Sequence, residues 1–566
     1  MAGSRKQNYM HGAAILTVGV IIMKVLGFIY KVPLGNILGD EGYSMFMGAY
    51  SIYNIFFTLA TAGLPVALSR LVAEADANGR IRQEEKTFRV ALGTFAVIGV
   101  LFSFILFAFP NWLAANYLEN PDAAMSIRAM APAILLVCLV SAYRGYCQGN
   151  GNMIPTTVDE VLEVLFKVIS GLILASALLR ARRGLPVASA GAILGVSIGS
   201  VVSLAYMIVY KRRHYSVLAA PYTAGTVSPN AQYKEETTDS TAKIVKDLLM
   251  IGMPIAFGAC IMAILNSIDS KLCMNRLQTA AHFSYFEAKV LYGVYGKAQT
   301  FFNLPAAFIT PLTISIVPAI SGAFARGDRE EAAKISEDSM RISAVIAMPM
   351  GVGLSVMSMP IMEGFYAGSH HSGPDLLAIM GAASIFVCLL LMENAVLQAS
   401  GKERYTMITM VVGGLVKILV NWFLVARRPI NIYGAPIGTL VSYLVMCAMN
   451  FFFMSSTLER TPNLGRVLLK PVICSAVMGA GAWACFGLAM RLIHIPGRLG
   501  LLAAMFLAML AAVVVYLVCV ILMRAITRED LGLIPKGDKI AALLPIAESL
   551  RSLSRYGIVK IVSEAL

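Results

Sequence analysis

Charged residues are scarce in this sequence. Asp, Glu, Lys and Arg make up 14% of its 566 residues, whereas 58% of the residues are hydrophobic. A soluble domain usually carries about 25% charged residues. A soluble fold of this composition would have to expose an apolar surface to water, so the composition excludes an ordinary soluble protein and indicates a chain that folds in lipid.

Motifs for catalysis and metal binding are also missing. The nine cysteines lie singly in apolar stretches, without a CxxC pair or a cluster of Cys and His. The sequence has no Gly-x-x-x-x-Gly-Lys-Ser/Thr loop, no Gly-x-Ser-x-Gly and no His-Glu-x-x-His. We therefore expect no enzymatic activity, no cofactor and no metal site.

Long apolar runs dominate the sequence instead. A helix needs about 20 apolar residues to span the hydrocarbon of a bilayer. Pro65, Pro305 and Pro311 predict that the second and eighth runs are bent or partly outside the membrane. The fourteen runs are 11–36, 43–76, 88–109, 125–148, 157–179, 187–210, 247–275, 288–324, 341–365, 374–399, 405–426, 433–455, 467–492 and 499–523.

The positive charge is concentrated in one set of loops. The formal net charge is +14, and basic clusters occupy alternate gaps between the runs, for example 80–89 and 211–213. The opposite gaps are short and hold acidic residues such as Asp40 and Glu41. This is the positive-inside pattern of membrane proteins. It predicts a multi-pass protein of the plasma membrane with both termini in the cytoplasm, and it argues against nucleic acid binding.

The two halves of the chain repeat each other. Gln148-Gly-Asn-Gly151 closes the fourth run and Gln398-Ala-Ser-Gly401 closes the tenth, 250 residues later; Lys167 and Lys417 are also 250 residues apart. Both halves hold six runs in the same orientation, which predicts a parallel repeat with substrate bound between the halves. We therefore predict a six-helix lobe (1–210), a cytoplasmic linker (211–246), a second six-helix lobe (247–456), two extra spans (457–524) and an amphipathic cytoplasmic tail (525–566).

Two lysines lie inside the first run. Lys24 and Lys31 are seven residues apart, which places them on one face of a helix. Ionisable residues inside a span are costly and usually functional. Two ammonium groups in a low dielectric favour a phosphate or pyrophosphate ligand. The alternative is that Lys31 extends to the outer interface of the membrane.

Other polar residues lie in the second, seventh and eighth runs. Lys297 is a second candidate contact for an anion, and Asn54 and Asn303 occupy matching places in the two halves. Asp269 could hold a cation or a proton, or form a salt bridge with a lysine such as Lys417.

A further group lies near the cytoplasmic ends of the fourth and tenth runs. Arg144 and the pair Glu393-Asn394 are candidates for a cytoplasmic gate, although ordinary interface anchors have the same pattern. Glu163 is expected to pair with Lys167, four residues further along the same helix.

Several segments resemble one family. They are Lys24-Val-Leu-Gly-Phe-Ile-Tyr-Lys31, Tyr50-Ser-Ile-Tyr-Asn-Ile-Phe56, Thr61-Ala-Gly-Leu-Pro-Val-Ala-Leu-Ser-Arg-Leu-Val72 and Leu533-Ile-Pro-Lys-Gly-Asp538. Over essentially its whole length, the chain resembles the stage V sporulation protein B and polysaccharide transporter branch of the multidrug/oligosaccharidyl-lipid/polysaccharide exporter superfamily, which includes MurJ-type lipid II flippases. The resemblance implies an all-α polytopic membrane protein with about 14 transmembrane helices, arranged as two six-helix lobes plus two C-terminal helices.

The same resemblance implies an activity and a site. Members of the branch flip undecaprenyl-pyrophosphate-linked saccharides from the inner to the outer leaflet, and their cationic first-span residues map onto Lys24 and Lys31. The sodium site of some MurJ-type members maps onto Asp269 and Asn421. Lys417 lies one turn before Asn421 and would repel a bound cation, which favours an Asp269–Lys417 pair or proton coupling.

Three classes of function follow from these observations. The first is a flippase for a polyprenyl-pyrophosphate glycolipid, and it works by alternating access in cell-envelope or spore cortex synthesis beside the cell-wall synthesis machinery. The peptidoglycan precursor lipid II is one candidate for this glycolipid. The second is a multidrug or cation antiporter, which several cavity lysines disfavour. The third is a membrane scaffold without transport activity, which would not need lysines inside its spans.

Overall fold

The computed structural model describes residues 9–223, 238–458, 460, 462–493 and 495–523 of the chain. Every regular element in these ranges is a helix, and thirteen helical segments are long and apolar enough to cross a membrane. The predicted all-α polytopic membrane fold is confirmed. The predicted tail, 525–566, lies outside the described residues, as does 224–237 of the predicted linker.

The count of thirteen differs from the predicted fourteen because of the first helix. The first apolar segment extends from Val18 to Ala77, which is 60 residues. A helix of that length would be about 90 Å long, roughly three times the hydrocarbon thickness. The backbone leaves the helical conformation at Gly39, where φ is 66°, a value that glycine adopts without steric cost. The segment therefore divides there into the first two predicted runs.

The described residues form two compact units. The first comprises the chain as far as Lys297 together with Asn421–Ile432. Its helices are α1 (Tyr9–Ala62), α2 (Leu64–Ala77), α3 (Ile81–Ala108), α4 (Pro110–Trp112), α5 (Ala124–Gly149), α6 (Ile154–Arg180), α7 (Leu185–Thr223), α8 (Thr241–Thr279) and most of α9 (Tyr285–Phe302).

The second unit comprises Ala298–Val420 and the chain from Tyr433 onward. The two six-helix lobes and the separate pair of C-terminal spans stay a prediction. The helices of this unit are α10 (Leu304–Ala325), α11 (Arg329–Val356), α12 (Ser358–Phe365), α13 (Gly373–Ala399), most of α14 (Glu403–Leu424), α15 (Gly434–Thr457), α16 (Leu464–Leu492) and α17 (Arg498–Met523).

Prolines interrupt the long apolar runs where the sequence predicted it. Pro65 lies in the first turn of α2 and Pro305 in the first turn of α10, where the missing N–H costs nothing. Pro311 is accommodated inside α10. The second and eighth predicted runs are thus each divided into two helices.

The repeated motifs end their helices in the same way. After α5, Gly151 adopts φ 71° and the amide of Asn152 donates to the carbonyl of Cys147. After α13, Gly401 also adopts φ 71° and the amide of Lys402 donates to Leu397. This αL cap satisfies the last carbonyls of each helix and needs glycine. The motifs that are 250 residues apart in sequence therefore have one local structure.

Large apolar side chains cover the outside of several helices. Val97 and Phe104 of α3, and Leu499 and Phe506 of α17, are each at least 60% exposed. Exposed apolar area on this scale is unfavourable in water but not in lipid. Together with the thirteen candidate spans, it identifies a multi-pass membrane protein.

Candidate functional site

The two lysines of the first span lie on α1 and have no counter-charge within the described part of the chain. Lys24 is exposed and Lys31 is half-buried. Among the described residues, neither ammonium group has an ion pair or a side-chain hydrogen bond. Two helical turns, or about 10.5 Å of axis, separate them. This face of α1 is therefore cationic.

A third lysine joins this cationic face from α6. Lys167 is half-buried, and its charge and that of Lys24 repel the charge of Lys31. Within the described ranges Lys167 also lacks an acidic partner. Three like charges gathered in a membrane-spanning region repel each other, so the arrangement is favourable when an anion binds among them. We call Lys24, Lys31 and Lys167 the three-lysine site.

Close helix packing fixes the backbone of this site. The hydroxyl of Tyr30 donates to the carbonyl oxygen of Ala192 in α7 at 3.0 Å, which anchors α1 next to Lys31. A Cβ on Gly195 of α7 would lie 2.8 Å from the carbonyl oxygen of Lys167. Small residues allow helix backbones in membranes to approach this closely. The glycine thereby positions the turn of α6 that carries Lys167.

Lys297, the third predicted pyrophosphate contact, has a protein partner instead. Its side chain is 1% exposed, and its Nζ lies 2.5 Å from Oδ1 of Asp40, next to the break at Gly39. Nearby, Nζ of Lys289 lies 2.6 Å from Oε1 of Glu41 and 2.6 Å from Oδ2 of Asp122. These bridges join α9 to the break in α1, so the charge of Lys297 is already balanced.

Exchanging the charges of Asp40 and Lys297 tests whether Lys297 stabilises the fold or contacts the substrate. Asp40→Asn alone is expected to destabilise the protein, because it leaves a buried ammonium group without its partner. The double variant Asp40→Lys/Lys297→Asp is expected to recover thermal stability and most of the transport rate. Recovered stability without transport would instead assign Lys297 to the substrate.

Arg144 is the centre of a buried ion cluster between α5, α6 and α7. Its guanidinium donates to both carboxylate oxygens of Asp159, at 2.7 and 2.8 Å, and to Glu163 at 2.8 Å. Glu160 lies 3.6 Å away, and Ser203 donates to Asp159 at 2.5 Å. The sequence position of Glu163 predicts a pair with Lys167, but in the structure Glu163 pairs with Arg144. This leaves Lys167 available to the three-lysine site.

The remaining predicted residues lie at separate places in the two units. In the first unit the amide of Asn421 donates to the buried carboxylate of Asp269, whereas Lys417 is half-buried on the part of α14 that belongs to the second unit. The Asp269–Lys417 pair and ion coupling stay predictions. Asn54 is half-buried in α1, and Asn303 is exposed where α9 meets α10.

The predicted gate residues of the second unit lie in its core. Glu393 and Asn394 are both buried on α13. The amide of Asn450 on α15 donates to the side-chain oxygen of Asn394 at 2.7 Å. Their function as a gate stays a prediction. In the described residues no group of three or more His, Cys, Asp or Glu side chains is placed to hold a metal ion.

Comparison with known proteins places the chain in a family. The polysaccharide biosynthesis protein family matches residues 9–324, more than half of the sequence. The chain belongs to this family. It is 24% identical to the lipid II flippase MurJ of Bacillus subtilis (strain 168), over 90% of this chain and 94% of that protein. It is 23% identical to stage V sporulation protein B of the same organism, over 94% and 98%.

A solved structure has the same fold as this polysaccharide biosynthesis family member. The lipid II flippase MurJ in an inward closed conformation superposes with a TM-score of 0.63 at 14% identity, and the match covers 89% of this chain and 98% of that one. The similarity confirms the predicted fold.

Sequence reasoning about this family member missed three residues of the sites. Asp159 was not singled out, Asp40 was taken as a loop residue, and Lys167 was not assigned to the anion site. One signal was available in the sequence, because Asp159, Glu163 and Lys167 follow one another at intervals of four and so share a helical face. That spacing does not predict which residue of another helix each side chain contacts.

Proposed function

We propose that this protein is a flippase that moves a polyprenyl-pyrophosphate-linked saccharide from the inner to the outer leaflet. The observation that carries the proposal is the three-lysine site, in which three ammonium groups on membrane-spanning helices lack acidic partners among the described residues. Family membership and the similarity to a flippase over 90% of this chain support the same substrate class.

The chemistry of a pyrophosphate suits this site. A pyrophosphate diester carries two negative charges and several acceptor oxygens, and ammonium groups are strong donors to such oxygens. The attraction is far larger in a membrane interior than in water, because the local dielectric constant is low. An unpaired lysine inside a span is otherwise costly, so binding the anion removes an energetic penalty.

The proposed cycle forms and breaks no covalent bond. Lys24, Lys31 and Lys167 hold the pyrophosphate while the saccharide occupies the polar interior, and the polyprenyl chain stays in lipid along α16 and α17. Movement of the two repeats about the bound headgroup then opens the site to the other side, as in other transporters with parallel repeats. Lipid II is the proposed cargo, with a place in peptidoglycan or spore cortex synthesis beside cell-wall enzymes.

A multidrug or cation antiporter is the second candidate, and its fold would be the same. The three-lysine site argues against it, because the site would repel a cationic drug. A membrane scaffold is the third candidate, and neutral replacement of the three lysines would leave its activity unchanged.

Reconstitution with defined lipids tests the proposal. The purified protein is placed in vesicles with lipid II, with a polyprenyl-pyrophosphate disaccharide that lacks the peptide, or with a fluorescent cationic drug. We expect the protein to accelerate access of an external probe to one or both glycolipids and to leave the drug where it was. Drug movement without lipid movement would support the antiporter, and no movement of any of them would overturn the flippase proposal.

A further inference from the structure

Glu393 is a buried carboxyl group in the second unit to which the proposed cycle assigns no function. It lies on α13, and its residue surface is 3% exposed. Its Oε2 atom has no hydrogen-bond partner. Among the described residues no lysine or arginine forms an ion pair with it. Within the described part of the chain, its environment therefore provides no counter-charge.

The contrast with Asp159 in the first unit shows what is missing. Asp159 is fully buried, but it accepts two hydrogen bonds from Arg144 and a third from Ser203. An ionised carboxylate without such partners is strongly unfavourable in a low dielectric, and the group takes up a proton instead. Glu393 meets this description, so it is neutral in the conformation observed.

Cys447 of α15 lies next to Glu393 and supplies no charge to it. The Cys447 thiol donates to the carbonyl oxygen of Phe386 at 3.2 Å. A neutral thiol does not replace the guanidinium group that stabilises the Asp159 carboxylate.

Among the described residues, the helices that pack against α13 form no ion pair with Glu393. These are α10, α11, α12 and α15. Along α10 and α15 there is no Asp, Glu, Lys or Arg, and the titratable side chains of α15 are Cys447 and Tyr443. On α12 the one charged residue is Glu363, which is exposed. In α11, Nη2 of Arg341 lies 2.8 Å from Oδ1 of Asp338. The charged residues of this helix are Arg329, Glu330, Glu331, Lys334, Glu337, Asp338 and Arg341.

We infer that Glu393 is a proton-binding site of this protein. In the observed conformation its carboxyl group carries the proton. When the surroundings of α13 become hydrated or acquire a cation during a conformational change, the proton leaves to water and the carboxylate remains. Such a residue links the conformation of the second unit to the proton concentration on the side to which it opens.

Infrared spectroscopy of the purified full-length protein tests the site without any transport assay. We expect a carbonyl band of a protonated carboxyl group at neutral pH that is absent from the Glu393→Gln variant and retained in Glu363→Gln, the matched exposed glutamate of the same unit. We also expect the band to shift in Cys447→Ala, which changes the side chain next to the carboxyl group.

Each outcome of this experiment decides the inference. Glutamine has the shape of the neutral acid, so Glu393→Gln should fold with an unchanged melting temperature. An unchanged infrared band in Glu393→Gln, or a loss of folding in that variant, would overturn the assignment, because either result means that residue 393 is ionised in the native protein.

A second experiment asks whether the proton drives transport, and it rests on the proposed flippase function. In vesicles with an imposed pH gradient, wild-type flipping is expected to respond to the gradient and Glu393→Gln flipping to lose that response. If wild type moves no lipid, the flippase proposal fails while the infrared result stands. If wild type and Glu393→Gln respond equally, coupling through Glu393 is wrong.

Discussion

Replacing Lys24, Lys31 and Lys167 together by alanine is expected to abolish flipping while the protein still folds. The three ammonium groups contact no acidic partner within the described residues, so their removal breaks no ion pair and relieves mutual repulsion. A hydrogen bond to a charged group contributes about 1.5–3 kcal/mol, which corresponds to at least roughly tenfold per lysine. The measurement is the initial rate of glycolipid flipping in reconstituted vesicles.

Two kinds of control variant accompany the triple alanine variant. The Lys→Arg variants keep the charge at all three positions and should retain a substantial part of the rate. Lys243→Ala removes an exposed lysine that is paired with Asp239 at 2.8 Å and should leave the rate unchanged. A full rate in the triple alanine variant would show that the pyrophosphate binds elsewhere, and a loss confined to Lys24 and Lys31 would remove Lys167 from the site.

Arg144→Leu is expected to be the most destabilising single charge removal in the first unit. It leaves the fully buried Asp159 carboxylate, and Glu163 beside it, without their guanidinium partner. Breaking a buried pair by removing one member costs about 3–5 kcal/mol. We expect a large fall in the thermal unfolding temperature of the purified protein, together with poor recovery from the membrane.

A surface pair and a second substitution complete this test. Arg326→Leu breaks an ion pair whose arginine side chain is 60% exposed, and such pairs contribute about 0–1 kcal/mol. Adding Asp159→Asn to Arg144→Leu should restore part of the lost stability, because it removes one of the uncompensated charges. If Arg144→Leu is as stable as Arg326→Leu, the cluster is hydrated in solution and its assignment as a buried network is wrong.

The structural motifs that depend on local geometry could be predicted from the sequence. The two motifs that end in Gly151 and Gly401 marked helix ends 250 residues apart, and both have the αL cap that glycine allows. Pro65 and Pro305 marked breaks, since a proline in the first turn of a helix loses no hydrogen bond, whereas Pro311 is accommodated inside α10. The one-residue break at Gly39 was visible only as a gap between two apolar runs.

The partners of the intramembrane charges could not be predicted. Lys297 and Lys31 look alike in sequence, since each is a lysine within an apolar run, yet Lys297 is paired with Asp40 and Lys31 is not paired with any described acidic residue. Glu163 had two possible partners, Lys167 four residues away on its own helix and Arg144 on α5, and the structure selects Arg144. That choice depends on how helices distant in sequence pack.

The sequence by itself determined that this chain is a multi-pass helical membrane protein with an internal repeat and cationic residues in its first span. These properties follow from composition, periodicity and turn chemistry, which act over a few residues along the chain. The tertiary structure decided which charges are compensated, because compensation requires two side chains from different helices to meet within about 4 Å. It thereby turned a set of similar candidates into a three-lysine site, an ion pair next to Gly39, an arginine cluster and a neutral Glu393.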